Sequence, residues 1–152
     1  MADRTAPYPN YNYLVDLKGP YAPDALLGGF AEVTGISSEI HVADYRNGNE
    51  ANPHVRKIPG THTVGKVVCK RGVVNSADLW DWVTQTRTTG VGGARDVTIT
   101  LRDETSTPVQ IFKLFTAYPS KYTLAALQGK GGGEVLMEEL EITAEGLEIT
   151  PP

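Results

Sequence analysis

The chain has 152 residues and a mass of 16.4 kDa, with 40% hydrophobic and 21% charged residues, which fits a single globular domain over residues 1–152. Its single cysteine excludes an internal disulfide, and no apolar run reaches the roughly 18 residues of a membrane span. The net charge of -4 argues against stable binding of nucleic acid. The first residues lack the apolar segment of a signal peptide, so we expect cytoplasmic synthesis and assembly, with no membrane insertion by this chain.

Apolar and polar residues alternate with period two in the first half of the chain, which indicates β-structure. Residues 11–17 predict a first strand. Residues 29–42 predict one long strand that bends at Gly35, where the glycine forms a bulge. Residues 63–74 mix aliphatic with basic side chains and predict a half-solvated strand.

A long polar segment follows the second strand. Residues 44–60 contain Asn-Gly, Asn-Pro and Pro-Gly pairs and no apolar periodicity, so we predict a loop. A loop of this length in a small domain usually has a function, such as contact with a partner.

One segment has the signals of a helix. Asn75 and Ser76 can cap it, and Asp78 and Asp81 lie in the early turns, where the helix dipole favours anions. The spacing predicts a helix over about residues 76–87 that covers an open end or face of the sheet structure. Its predicted packing residues are Leu79, Trp80, Trp82 and Val83.

Two strands and one ambiguous segment follow the helix. Residues 97–102 and 109–117 predict a hairpin, and the second strand should be central because both of its faces are apolar. Residues 134–149 suit a helix or a strand, and the strand requires a bulge near residues 138–139. This last segment carries six glutamates and no Lys or Arg, so it is either a solvated acidic face or one that meets a basic face of another copy.

Catalytic and cofactor motifs are weak throughout the chain. Neither glycine-rich segment matches a phosphate-binding loop, and the spacing of His41, His54 and His62 matches no compact metal site. Cys69 lies on a predicted strand, where a packing role is expected rather than a nucleophilic one. We therefore expect no catalytic residues, no cofactor and no metal.

Eight blocks, in order over roughly residues 11–149, resemble the inner tube proteins of contractile phage tails and phage-tail-like injection particles. They include GFAEVTGI, DYRNG, KIPG, KRGV, DLWDW, RDVTITL and AYPSKY, together with a final block ending in ELEITAEGL. Two departures stand in the seventh block, where Tyr118 replaces the usual tryptophan and Ser120 the usual aliphatic residue. The order of the blocks makes the resemblance strong, although each block alone is weak.

The resemblance implies a mainly β fold of two packed antiparallel sheets, as a sandwich or barrel, with one short flanking helix and a strand over residues 134–149. It implies strands that join across subunits into a hexameric ring, and rings that stack into a hollow conduit for an effector protein or DNA. The implied partners are further copies, a contractile sheath, baseplate or spike proteins and tube-terminating proteins.

In that family the long loop reaches the adjacent ring, so the resemblance assigns this role to residues 44–60. The expected contact residues are Asp44, Tyr45, Arg46, Asn47, Gly48, Asn49, Glu50, Arg56 and Lys57. Two alternatives stay open: a specialised tube-like ring at the baseplate end of the same machine, and a monomeric β-barrel that binds a small ligand.

Overall fold

A computed structural model describes residues 4–17, 29–73 and 78–152 of the chain. Within these ranges lie nine strands, one α-helix and a short 3-10 turn over Gly90–Gly93. The elements are β1 (Tyr13–Asp16), β2 (Glu32–Thr34), β3 (Ser38–Tyr45), β4 (Arg56–Val64), β5 (Val67–Gly72), α1 (Asp78–Thr89), β6 (Arg95–Arg102), β7 (Pro108–Leu124), β8 (Met137–Thr143) and β9 (Gly146–Thr150).

Two antiparallel sheets share the long central strand β7. One sheet has the order β1-β6-β7-β9, and the other has the order β7-β8-β5-β2. Strand β7 passes from one sheet to the other near Thr116, whose φ is +51°. The predicted pair of antiparallel sheets with a flanking helix is confirmed. Among the described strands, β1 and β2 each pair with a single neighbour, so the sheets do not close into a barrel.

Both sheets and the helix contribute to one hydrophobic core. Strands β5 and β8 alternate buried and half-buried residues, as the period of a strand with one face on the core requires. Cys69 is part of this core, as predicted. The other fully buried apolar side chains include Leu17, Val67, Leu79, Trp82, Val97, Leu114, Leu140 and Ile142.

The single long strand predicted over residues 29–42 is wrong, because the chain turns at Gly35. This residue has φ +85°, and an added Cβ would lie 2.2 Å from the carbonyl oxygen of Lys66. A residue without a side chain is needed in such a conformation. As a result β2 pairs with β5 in a core sheet, whereas β3 pairs with β4 as a separate two-stranded arm.

Helix α1 ends two residues later than predicted and packs on β7. The predicted cap residues lie at 74–77, outside the described ranges. Leu79 and Trp82 are buried, and the Trp82 indole Nε1 donates a hydrogen bond to the Gly93 carbonyl oxygen at 2.8 Å. Val83 is half-buried against the core.

The C-terminal half follows the predictions in outline. Strands β6 and β7 form the predicted hairpin, and β7 is central, although it continues to Leu124. The C-terminal segment is β-structure, as the resemblance implied, and it forms two strands, β8 and β9. The bulge predicted near residues 138–139 is wrong, because β8 pairs with β5 in unbroken register.

A buried ion pair explains why β8 needs no bulge. Glu138 lies on the core-facing side of β8, opposite Arg71 of β5, and its Oε1 accepts a hydrogen bond from Arg71 Nε at 2.6 Å. The second carboxylate oxygen accepts a hydrogen bond from the Tyr122 hydroxyl at 2.5 Å. The guanidinium of Arg71 also lies 5.8 Å from the centre of the Phe30 ring. Glu138 therefore points into the core from the same face of β8 as Leu140 and Ile142.

Three of the six C-terminal glutamates are paired inside the chain. In addition to the buried pair, Lys70 Nζ lies 3.1 Å from Glu139 and Lys66 Nζ lies 3.7 Å from Glu141. The basic residues of β5 thus face the acidic residues of the neighbouring strand β8. The charge asymmetry of the sequence is in part balanced between adjacent strands of one copy.

Candidate assembly surface

The β3–β4 arm lies outside the core. Every residue of β3 is exposed, and so is every residue of β4 except the half-buried Val64 at its end. A two-stranded hairpin is marginally stable at best in water and gains stability from packing against another surface. Of the described chain, the arm is therefore the part that would gain most stability by packing against another surface.

Large apolar side chains on the arm point to the same conclusion. Exposed apolar residues that cluster, unlike those scattered singly, mark interaction surfaces. The arm exposes five large apolar side chains: Ile40 and Val42 on one face of the ribbon, Tyr45 and Ile58 on the other, and Val55 at the end of the connection. Burial of these side chains against another protein surface would be favourable.

The outer end of the arm is held in shape by its own polar contacts. The guanidinium of Arg46 donates hydrogen bonds to the carbonyl oxygens of Glu50, at 3.0 Å, and Asn52, at 3.3 Å. Arg56 Nη2 lies 3.1 Å from the Glu50 carboxylate. A loop that is ordered before it meets a partner loses less conformational entropy on binding.

The residues predicted as contacts therefore lie together at the outer end of the arm, but the loop is shorter than expected. Asp44 and Tyr45 end β3, and Arg56 and Lys57 begin β4, so only residues 46–55 connect the strands. Asp44 and Lys57 form a cross-strand ion pair at 2.5 Å. The remaining contact residues lie in the connection: Arg46, Asn47, Gly48, Asn49 and Glu50.

Open strand edges form a second candidate surface. Among the described strands, β1, β2 and β9 each have a hydrogen-bonded neighbour on one side. An unpaired edge exposes backbone donors and acceptors that a strand of another chain can satisfy. The fold therefore offers edges for lateral association in addition to the arm.

The candidate reactive side chains lie apart in the described part of the chain. Burial raises the pKa of the Cys69 thiol to about 12, so it stays protonated and unreactive at neutral pH. All three histidines are exposed and lie on the arm. No group of three or more His, Cys, Asp or Glu residues in the described ranges is placed to hold a metal ion.

One surface cleft is lined mainly by apolar side chains. This cleft, of about 430 Å³, lies between β2 and the β6–β7 hairpin and is lined by Tyr13, Val33, Ile99 and Phe112. Its lining includes one carboxylate, that of Glu32. No helix in the described ranges has both the length and the apolar character needed to cross a membrane.

Sequence reasoning missed the buried pair of Arg71 and Glu138. The signal was present, since Glu138 has the same parity as the buried Leu140 and Ile142. We expected an acidic residue to face solvent and inserted a bulge, whereas a cation on the neighbouring strand allows its burial.

The fold and its exposed surfaces define a class of protein: a two-sheet β subunit with open edges and a protruding arm, suited to assembly with other chains. The family model of the T4-like virus tail tube protein gp19 matches residues 9–148. The chain belongs to this tail tube family, which confirms the resemblance found in the sequence. Tail tube proteins are structural components.

Solved structures show the same fold. A chain of the cryo-EM structure of the anti-feeding prophage (AFP) baseplate has a TM-score of 0.81 and 23% identity, with 97% of each chain covered. A chain of the sheath–tube complex of the extracellular contractile injection system PVC, in its extended state, has a TM-score of 0.80 and 20% identity, with coverage of 97% of this chain and 94% of the other. Hcp1 from Flavobacterium johnsoniae is more distant, with a TM-score of 0.51, 16% identity and coverage of 91% and 96%. No curated protein sequence matches the chain.

Proposed function

We propose that this tail tube protein builds the inner tube of a contractile injection system or phage tail. Six copies form a ring, and rings stack into a hollow conduit for a protein effector or DNA. The proposal assigns the chain no enzymatic activity and no cofactor. The observation that carries it is the exposed β3–β4 arm, which has no core of its own and belongs to a chain of the tail tube family.

The arm provides the contact between rings. Its outer end combines a preformed loop with ion pairs that close within the arm, such as those of Asp44 with Lys57 and Glu50 with Arg56. Because these charges are already paired, they need no partner from the next ring. Docking then depends mainly on the arm's exposed apolar side chains.

The open edges of β1, β2 and β9 provide the contact within a ring. Joining strand edges across copies removes the unpaired backbone groups, and closure of the ring leaves no free edge. This division of roles gives separate surfaces for ring formation and for stacking.

Sheath, baseplate and tube-terminating proteins are the proposed partners of the finished tube. Support comes from likeness to chains in the PVC sheath–tube complex and in the structure of the AFP tube terminating cap, the latter with a TM-score of 0.81 and 19% identity. The equal TM-score with a chain of the AFP baseplate structure favours a second candidate function, a specialised ring at the baseplate end. Many copies per particle indicate the tube, whereas a single ring per particle indicates the baseplate position.

Electron microscopy of the purified chain, with its mass measured in solution, tests the proposal. We expect sixfold rings and stacked hollow tubes. Ile58→Glu places a charge on the arm and is expected to give folded rings that do not stack, because burial of a carboxylate opposes docking. Val91→Glu is the matched control, since Val91 is exposed and lies off the arm. Tubes of normal length from the Ile58 variant would contradict the role of the arm.

A further inference from the structure

A second group of exposed apolar side chains lies at one end of the sheet formed by β7, β8, β5 and β2. Its members come from the ends of β5 and β7, from the β7–β8 connection and from α1. We call this group the end patch; it consists of Val73, Trp80, Leu124, Leu127 and Val135.

Val135 links the β7–β8 connection to the end of β5 within the end patch. Leu127 and Val135 line the same cleft of about 270 Å³. Val135 Cγ1 lies 3.3 Å from the position that a Cβ on Gly72 would occupy, so it covers the end of β5. The adjacent Val73 donates its backbone N–H to the Leu136 carbonyl oxygen at 2.9 Å, which holds the ends of β5 and β8 together.

An aromatic pair gives the end patch a rigid margin. The rings of Trp80 and Tyr122 meet edge to face, with centroids 5.7 Å apart. The Tyr122 hydroxyl is fixed by Glu138 of the buried ion pair, and Leu124 lies opposite Glu138 in the strand register. Because its ring is already held by Tyr122, Trp80 loses little conformational freedom when it is buried by a partner.

The geometry of stacked rings requires a surface of this kind. Head-to-tail stacking is heterologous, so each chain must present two different surfaces that fit each other. Of the fifteen large apolar side chains that are exposed in the described ranges, five lie on the arm and five in the end patch.

Charge also favours the arm as the occupant of the end patch. The formal charges of the arm cancel, so it is suited to an apolar surface rather than to a charged one. The three negative charges belong to Glu39, Asp44 and Glu50, and the three positive charges belong to Arg46, Arg56 and Lys57.

We infer that the end patch receives the β3–β4 arm of a copy in the neighbouring ring, an inference that rests on the arm's proposed function. The face of the arm that carries Tyr45 and Ile58 packs against the end patch, with Trp80 as the aromatic anchor. The receiving surface thus includes the β7–β8 connection.

Charge insertion into the end patch tests the inference. Leu127 and Val135 are 75% and 73% exposed, so Leu127→Glu and Val135→Glu should leave the fold intact, and Val91→Glu is the control at 69% exposure. We expect the two patch variants to form rings of normal mass but at least tenfold fewer tubes by electron microscopy. Thermal unfolding verifies that each variant is folded.

Cross-linking of engineered thiols gives an independent test, which does not depend on loss of assembly. Cys69 is buried and does not compete for the reagent. Chains with Val55→Cys are mixed with chains with Leu127→Cys and treated with a short bismaleimide. We expect covalent dimers that contain one chain of each kind, and none when Val91→Cys replaces Leu127→Cys.

The outcomes separate this inference from the function on which it rests. If the patch variants make normal tubes and the thiols do not cross-link, while Ile58→Glu abolishes tubes, the arm docks elsewhere and the inference is overturned. If Ile58→Glu also makes normal tubes, the proposed role of the arm fails. Cross-linking of Val55→Cys to Leu127→Cys decides the question if a charged variant does not fold.

Discussion

Removal of the charge of Glu138 should destabilise the fold more than any comparable change at a surface ion pair. Arg71 and Glu138 are only 1% and 5% exposed, and their ion pair at 2.6 Å spans the neighbouring strands β5 and β8. Glu138→Gln keeps the size of the side chain and an oxygen for the Tyr122 hydroxyl. It leaves a buried guanidinium without its counter-ion.

The expected cost is large because the guanidinium has few other partners. The Nη1 and Nη2 atoms of Arg71 are buried and have no hydrogen-bond acceptor among the described residues, and Phe30 offers only its ring. Breaking a buried ion pair by removing one partner typically costs about 3–5 kcal/mol. For a chain of this size the melting temperature should fall by roughly 10 °C.

Equilibrium urea unfolding, followed by tryptophan fluorescence on protein that sedimentation shows to be monomeric, measures this cost. Glu139→Gln is the matched control, because the pair of Glu139 with Lys70 is partly solvated and should contribute less than about 1 kcal/mol. The double variant Arg71→Met with Glu138→Leu should recover most of the lost stability, since it removes both charges. A cost for Glu138→Gln as small as that of the control would refute the reasoning.

Three further predictions concern single residues. Gly35→Ala should destabilise the chain by at least about 2 kcal/mol in urea unfolding, because of its positive φ and the close approach to Lys66, whereas Gly132→Ala, with open space around it, should cost less than about 1 kcal/mol. Burial and the hydrogen bond to Glu138 raise the pKa of Tyr122 to about 12, so the neutral phenol stabilises the fold fully below about pH 10 and loses this effect between about pH 10 and 12. Burial also raises the pKa of Tyr13, so ultraviolet titration of Tyr122→Phe should show one late-titrating tyrosine fewer than the parent chain, and an unchanged number would contradict the assignment. Cys69, buried and with a raised pKa, should not react with Ellman's reagent in the native protein and should react fully in urea, so rapid native reaction would contradict its burial.

Short-range patterns in the sequence located several of the individual elements. Alternation located the β6–β7 hairpin, and the apolar character of both faces of β7 identified it as central. The spacing of Leu79 and Val83, about one helical turn apart, located the helix, whose described residues run from Asp78 to Thr89. These predictions succeed because strand and helix periodicity depend on neighbouring residues alone. The ordered blocks of the sequence also identified the tail tube family, which the match over residues 9–148 confirms.

Only the tertiary structure decided how distant segments meet. The turn at Gly35 requires a glycine because the backbone of Lys66, a residue distant in the sequence, leaves no room for a side chain. This turn separates the arm from the core sheet. Glu138 is buried because Arg71 of another strand compensates its charge. The exposed side chains of the end patch come from segments far apart in the chain. Pairing between remote residues depends on the complete set of strand registers, which local periodicity does not contain.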